Sequence, residues 1–477
     1  MTAQNDATRM QAQAAFPVDT IQQRIAHYSD ALTFDALPAQ TVHCAKALVI
    51  DTLGVLVAGF NFEPCVKLRT FAAASASADG ATVLGTRLRT TPDLAAFVNA
   101  STARYVEAND VFARYKPGTA HGHPSDVIAP LLAVAEHAHA SGREFLNSVV
   151  LAYEIYLRIC DACHSEGFDP ATFGCIAIAA ATGRLFRLPA HQIAQAVSMA
   201  ATAHNILKQV RSDHVTVWKA LAAGQAGRDG VQAGLLAKAG IEGPSLPFQG
   251  VAGWCDHVAG KRFELPEMGG GTVPFLICES RIKTRPARAL TISSILAAEK
   301  LAGRVGDLDK VSRIVVMTYK RAKEGSRPQH WVSRNRETAD HSIPYCVAAA
   351  LIDGVVTPQS FDDQHLNDLR LRKLMAVVEI VEDEAYTVAY KALPQSHRGR
   401  VSVHTQGGGC FVAESGGDED DLASPKSDAW VERKFRAMTE AAVGAPRGGR
   451  LLSMLWALDN CQDVASLVEA LVLDQAT

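Results

Sequence analysis

Glu267-Met-Gly-Gly-Gly-Thr-Val-Pro-Phe275 is where the texture of this 477-residue chain changes. Three consecutive glycines and a proline resist helix, because glycine loses the most backbone freedom on ordering and proline has no donor to offer. On the N-terminal side the chain reads as helix after helix. On the C-terminal side strand-like alternation appears, so this stretch separates two kinds of structure.

Working back from it, the segments at 126–140, 142–159, 171–188, 190–207 and 217–240 are apolar on more than one face, as helices packed inside a bundle must be. Their many alanines and glycines suit close helix–helix approach. Pro38 opens a further helix running to Gly59. Thr91-Pro92-Asp93 is a capped start, with proline at the first turn.

Working forward, KVSRIVVMTYK (310–320), LMAVVEIVED (374–383) and GRVSVHTQ (399–406) alternate with the period of strands. Helical patterns lie among them at 288–303 and 343–354. Beyond Gly407-Gly408-Gly409 and an acidic run at 418–421, read as a solvated loop, helix returns at 427–443 and 465–473. The expected fold is mainly α: a disordered N-terminus at 1–16, a large all-helical domain from 17–275 and 410–477, and an inserted α/β unit at 276–409.

The composition, 48% hydrophobic and 20% charged with net charge −3, is that of a globular protein without the basic field that nucleic acid requires. No phosphate-clamping Gly-Lys-Ser/Thr loop and no Gly-x-Ser-x-Gly elbow is present. No segment approaches the roughly 18 uninterrupted apolar residues of a membrane span, and the first residues lack a signal-peptide core, so the expectation is a cytoplasmic protein with no membrane partner. The ten cysteines are scattered and read as reduced core thiols. Cys160-Asp-Ala-Cys163-His164 matches the haem-attachment pattern, but it ends an amphipathic helical segment and is read as packing.

Few polar residues stand in unusual places. Gly122-His-Pro-Ser-Asp126 follows Asn109-Asp110 across a short loop and precedes an apolar helix. Lys219 heads a helix rich in alanine and glycine, and Lys283 sits among Arg281, Arg285 and Arg288 near the boundary. Arg336 to Tyr345, RETADHSIPY, gathers polar side chains directly before an apolar helix. Histidine with a carboxylate suits proton transfer near neutrality, and lysines suit a polycarboxylate, which favours proton abstraction beside a carboxylate over nucleophilic attack. A metal reading would use His121 and His123 with Asp110 or Asp126.

The wording of LPAQTVHCAKALVIDTLGVLVAG (37–59), FVNASTARYVEANDVF (97–112), HPSDVIAPLLAVAE (123–136), WKALAAGQAGRDGVQAGLLAKAGIEGP (218–244), Ile282-Lys283-x-x-Pro286 and RETADHSIPYCVAAALIDG (336–354) resembles the MmgE/PrpD family in order and spacing. The resemblance implies a helical domain with an inserted α/β lid, a homodimer, and a cleft site working without metal or cofactor. It implies that Asp110 and His123 face the reacting carbon, with Tyr345 a further catalytic group. Lys219, Lys283 and His341 are then expected around the carboxylates of a small polycarboxylate. Asp110, Tyr345 and His341 are all candidates to protonate a departing hydroxyl. The activity implied is dehydration of 2-methylcitrate or a related tricarboxylic hydroxy acid. Decarboxylation of an aconitate and epimerisation of a dicarboxylate use the same proton chemistry, and a binding protein with a dead site is the alternative of another class. Val111, the loop residues Arg114, Tyr115 and Lys116, and Arg288 with Ala289 depart from the family's usual wording.

Overall fold

A computed structural model describes residues 17–112, 119–393 and 395–473. The segment 1–16, expected to be disordered, and the loop residues Arg114, Tyr115 and Lys116 lie outside the described residues. The fold is mainly α, organised around two large apolar cores.

The first core draws on helices between Thr20 and Lys238, on the irregular run from Phe248 to Ile282, and on the C-terminal helices Asp428–Val443, Ala445–Trp456 and Ala465–Ala470. Helix Trp218–Lys238 shows why its glycines matter. A Cβ at Gly224 would sit 2.0 Å from Ser101 Oγ, and one at Gly230 2.8 Å from the carbonyl of Cys175. Those contacts bring helices Pro92–Tyr105 and Ala171–Leu185 to backbone distance on either side. Ser141 and Glu144 form a capping box that starts helix Gly142–Ala162. That helix ends in buried Cys160 and Cys163, free thiols whose acidity burial suppresses.

Helix Ala39–Gly59 is the one described helix long and apolar enough to cross a membrane, although His43, Lys46 and Asp51 interrupt it. Here it is packed in the first core, its Asp51 2.6 Å from Lys434 Nζ.

The helical body is not all helix. β1 (Ala76–Thr82) and β2 (Arg89–Thr90) pair antiparallel, and Glu136 receives both the N–H and the hydroxyl of Thr82 at 2.7 and 2.6 Å. ASADGAT offers almost no apolar side chain for alternation to reveal.

The second core spans Ala287 to Val403. β3 (Val311–Thr318), β4 (Val378–Glu382), β5 (Gly399–Thr405) and β6 (Cys410–Ser415) form its sheet in the order β4-β3-β5-β6, with β3 parallel to β4 and antiparallel to β5. Ile314, Val316 and Thr318 bury one face of β3, and helices Ile292–Glu299 and Ile343–Asp353 supply much of the cover. Two boundaries differ from expectation. Leu374-Met375-Ala376 finish a helix before β4 begins. Cys410–Ser415 forms β6 on β5, so the expected change at 410 falls later: helix resumes only at Asp428, capped by Ser427.

Candidate active site

Helix Pro92–Tyr105 ends in a sharp turn, and Glu107 takes φ +57°, a left-handed conformation that residues with a Cβ adopt only under compensation. The segment that follows is stitched to two distant parts of the chain. Val111 exchanges two backbone hydrogen bonds with Arg281, both 2.9 Å, and Phe112 exchanges two with Gly122, 2.9 and 3.1 Å. Lys283 is thereby brought up on one side and His123 on the other. From below, Lys434 of the C-terminal helix donates to the carbonyl of Ala108 at 2.8 Å.

The Glu107 side chain supplies the compensation. Its carboxylate accepts from Arg104 at 2.9 and 3.2 Å and from Lys283 Nζ at 2.6 Å, with Lys219 Nζ 3.3 Å away. Lys283 also donates to the Glu107 carbonyl at 3.0 Å. Lys219 Nζ reaches both oxygens of Asp340 at 2.9 Å. Burial opposes the charge on Glu107, but Arg104, Lys283 and Lys219 outweigh it and hold the carboxyl well below its usual range. Burial lowers Lys283 to about 8 despite that partner. Three cations face two carboxylates, so the cluster keeps a positive surplus.

His123 Nδ1 lies 2.8 Å from the carbonyl oxygen of Asp110. A carbonyl can only accept, so Nδ1 carries the proton and Nε2 is the bare nitrogen. Nε2 lies 4.0 Å from Glu107 Oε1. Burial, reinforced by Arg104 and Lys283, holds the imidazole well below its ordinary value, so it is a neutral base at pH 7. The Asp110 side chain points away from this work. One oxygen accepts from the Ser125 N–H at 3.0 Å and the other from the Tyr153 hydroxyl at 3.1 Å.

These groups border a cavity of about 320 Å³ between the two cores. Of the six residues expected at the site, His123 and His341 line it, whereas Asp110, Lys219, Lys283 and Tyr345 do not. Lys219 and Lys283 stand behind Glu107, which does. Tyr345 corrects the expectation most plainly: it is buried in the second core, stacked on Phe361 and donating to the carbonyl of Ser360 at 2.9 Å. The ring nitrogen Nδ1 of His341 pairs with Asp340. Burial and then Lys219 hold His341 below its ordinary value.

Sequence reasoning passed over Glu107, Arg104 and Asp340, although one charge in the last turn of an apolar helix and another just beyond it were a usable signal. It also undervalued four further cations. Lys208, Arg288, Arg321 and Arg327 line the cavity, and none has a carboxylate within ion-pair distance among the described residues. Arg285, from the same basic run as Arg288, is held by Glu299 at 2.6 Å. Among the described residues no three metal-ligating side chains converge.

Residues 23–266 match the model of the MmgE/PrpD N-terminal domain and residues 286–460 that of the MmgE/PrpD C-terminal domain. The glycine-rich stretch at 267–275 falls between the two matches. The mitochondrial 2-methylcitrate dehydratase of Yarrowia lipolytica is 28% identical over 420 residues, 83% of this chain and 78% of the relative. The 2-methylcitrate dehydratase of Escherichia coli is 27% identical over 370 residues, 72% of this chain and 74% of the relative. The cis-aconitate decarboxylase of Homo sapiens is 23% identical over 457 residues, 91% of each chain. With both halves matched on either side of that stretch, the chain belongs to the MmgE/PrpD family.

Proposed function

We propose that this protein is a lyase that dehydrates a small tricarboxylic hydroxy acid, 2-methylcitrate or a close relative, to the corresponding alkene. The observation that carries the reading is the pairing of a neutral base with a cationic wall: His123 Nε2 is bare, and Lys208, Arg288, Arg321 and Arg327 line the same cavity. Those cations hold the substrate's carboxylates. A carboxylate so held acidifies the neighbouring C–H, His123 Nε2 takes that proton, and the charge that develops spreads onto the carboxylate as an enediolate. The surplus charge of the Arg104, Lys219 and Lys283 cluster stabilises it from behind Glu107. Asp110 acts through its carbonyl, fixing the tautomer of His123.

In this reading the α/β unit is a lid over the helical body, closing on substrate, and the working form is a homodimer. Relatives named for 2-methylcitrate dehydration support the choice of acid. The relative named for cis-aconitate decarboxylation, aligned over 91% of the chain, supports a second reading in which the same base and wall serve loss of carbon dioxide. Incubating metal-stripped protein with 2-methylcitrate and, separately, with cis-aconitate distinguishes them. Ultraviolet absorbance of a new conjugated alkene from the first supports dehydration, and carbon dioxide from the second supports decarboxylation. Silence from both overturns this function.

A further inference from the structure

Removing hydroxide from a buried site costs far more than removing water, so dehydration needs a proton donor beside the departing oxygen. The three groups expected to supply it are poorly placed. Tyr345 is outside the cavity, both carboxylate oxygens of Asp110 are engaged away from it, and Nδ1 of His341 is committed to Asp340.

The geometry points to Asp126 as the acid that protonates the leaving hydroxyl, a role that rests on the dehydration reading above. Asp126 lines the cavity and is only 8% exposed; its Oδ1 is buried and, among the described residues, has no hydrogen-bond partner, so no donor there stabilises the ionised form. It lies in the single turn Pro124–Val127 that begins directly after His123, and its N–H donates to the His123 carbonyl at 3.1 Å. Base and acid therefore sit on one short rigid piece of chain. The nearest cation is Arg104, whose Nε is 3.5 Å from Oδ1. Burial raises this carboxyl to about 7; Arg104 and Arg211 favour its charged form, while Asp110 and Asp169 oppose it. It is thus substantially protonated near neutrality, as a general acid must be.

The step balances. His123 Nε2 takes the C–H proton, and that bond's electron pair becomes the alkene. The C–O bond breaks with its pair on oxygen, Asp126 delivers its proton there, and water departs, leaving Asp126 a carboxylate and His123 an imidazolium. Proton return through solvent resets both.

The test follows 2-methylcitrate in D₂O with the parent, Asp126→Asn and Asp126→Glu, measuring alkene formation and deuterium entering the recovered hydroxy acid. Asp126→Asn is expected to lose alkene formation by about 10²–10⁴-fold while deuterium entry continues, and Asp126→Glu is expected to recover part of the turnover. Retained binding of tricarballylate, which has no hydroxyl to lose, confirms that the Asn variant keeps its cavity. Alkene formation at the parent rate in Asp126→Asn would overturn the assignment, as would equal loss of both signals with tricarballylate still bound. A parent that dehydrates no hydroxy tricarboxylate overturns the reading of the whole site, and this role with it.

Discussion

The Nδ1 of His123 and the carbonyl oxygen of Asp110 are 2.8 Å apart, and that contact decides which nitrogen of the imidazole is a base. His123→Ala should lower kcat by about 10²–10⁴-fold with tricarballylate binding largely kept. Because the folded imidazole is held below 6.5, it stays neutral as pH falls through that value. The acid limb of kcat/KM should therefore lie below pH 6.5; a limb at or above it would contradict this arrangement.

Glu107→Gln leaves Arg104, Lys219 and Lys283 short of a countercharge. Breaking a buried ion cluster on one side costs about 3–5 kcal/mol, which urea denaturation at pH 7 should register. The Glu107 carboxyl titrates below its usual range when folded. Its stabilisation is therefore full above the unfolded value of 4.5 and is lost as pH falls through the folded one, so parent and variant should converge in acid.

Lys283 has a linkage of the same sign, set in an alkaline window. Its folded value is about 8 and its ordinary one 10.5, so between them the unfolded chain binds the extra proton. Measured against Lys283→Met, the parent's stability should rise across that window. A parallel pair of stability curves would show that Lys283 keeps an ordinary affinity for its proton.

Arg288 lines the cavity, and its guanidinium donates to the carbonyl of Gly325 at 3.2 Å. Arg288→Ala should raise KM about tenfold, about 1.4 kcal/mol, with kcat little changed. Steady-state kinetics showing the reverse split would move Arg288 from binding to chemistry.

A Cβ at Gly122 would meet the Tyr156 hydroxyl oxygen at 2.4 Å, and Tyr156 is buried. Gly122→Ala should cost about 1–3 kcal/mol by overpacking and lower kcat as well, because the displaced backbone carries His123. Thermal unfolding and turnover measured together check both effects.

Sequence texture shows most clearly where one kind of structure gives way to another. Glu267 to Phe275 declares itself because glycine and proline act locally, and β3 because its alternation is long. β1 stays hidden, since ASADGAT is held by Glu136, 54 positions away from Thr82, rather than by its own pattern. At the site, His123 is legible as a polar residue in a loop before a buried helix. Asp110 is legible as important, but nothing in its side chain says that its carbonyl does the work. Glu107 acquires its meaning from Lys283, 176 positions on, and Lys219 from Asp340, 121 positions on. Tyr345 misleads because it follows His341 closely in the chain. Helix Ile343–Asp353 begins between them and turns the ring toward Phe361 instead.

The ammonium that fastens the Ala108 carbonyl belongs to a residue 326 positions further along the chain. On a ribosome adding about 5–20 residues each second, the helical body waits roughly 15–60 s for that cation. During that interval buried Asp51 lacks the Lys434 partner it has in the finished fold. Nascent chains arrested short of Lys434 should be cut readily by protease, and those extended past the C-terminal helix should resist it. Translation past Lys434 is then the event that completes the support beneath the candidate site.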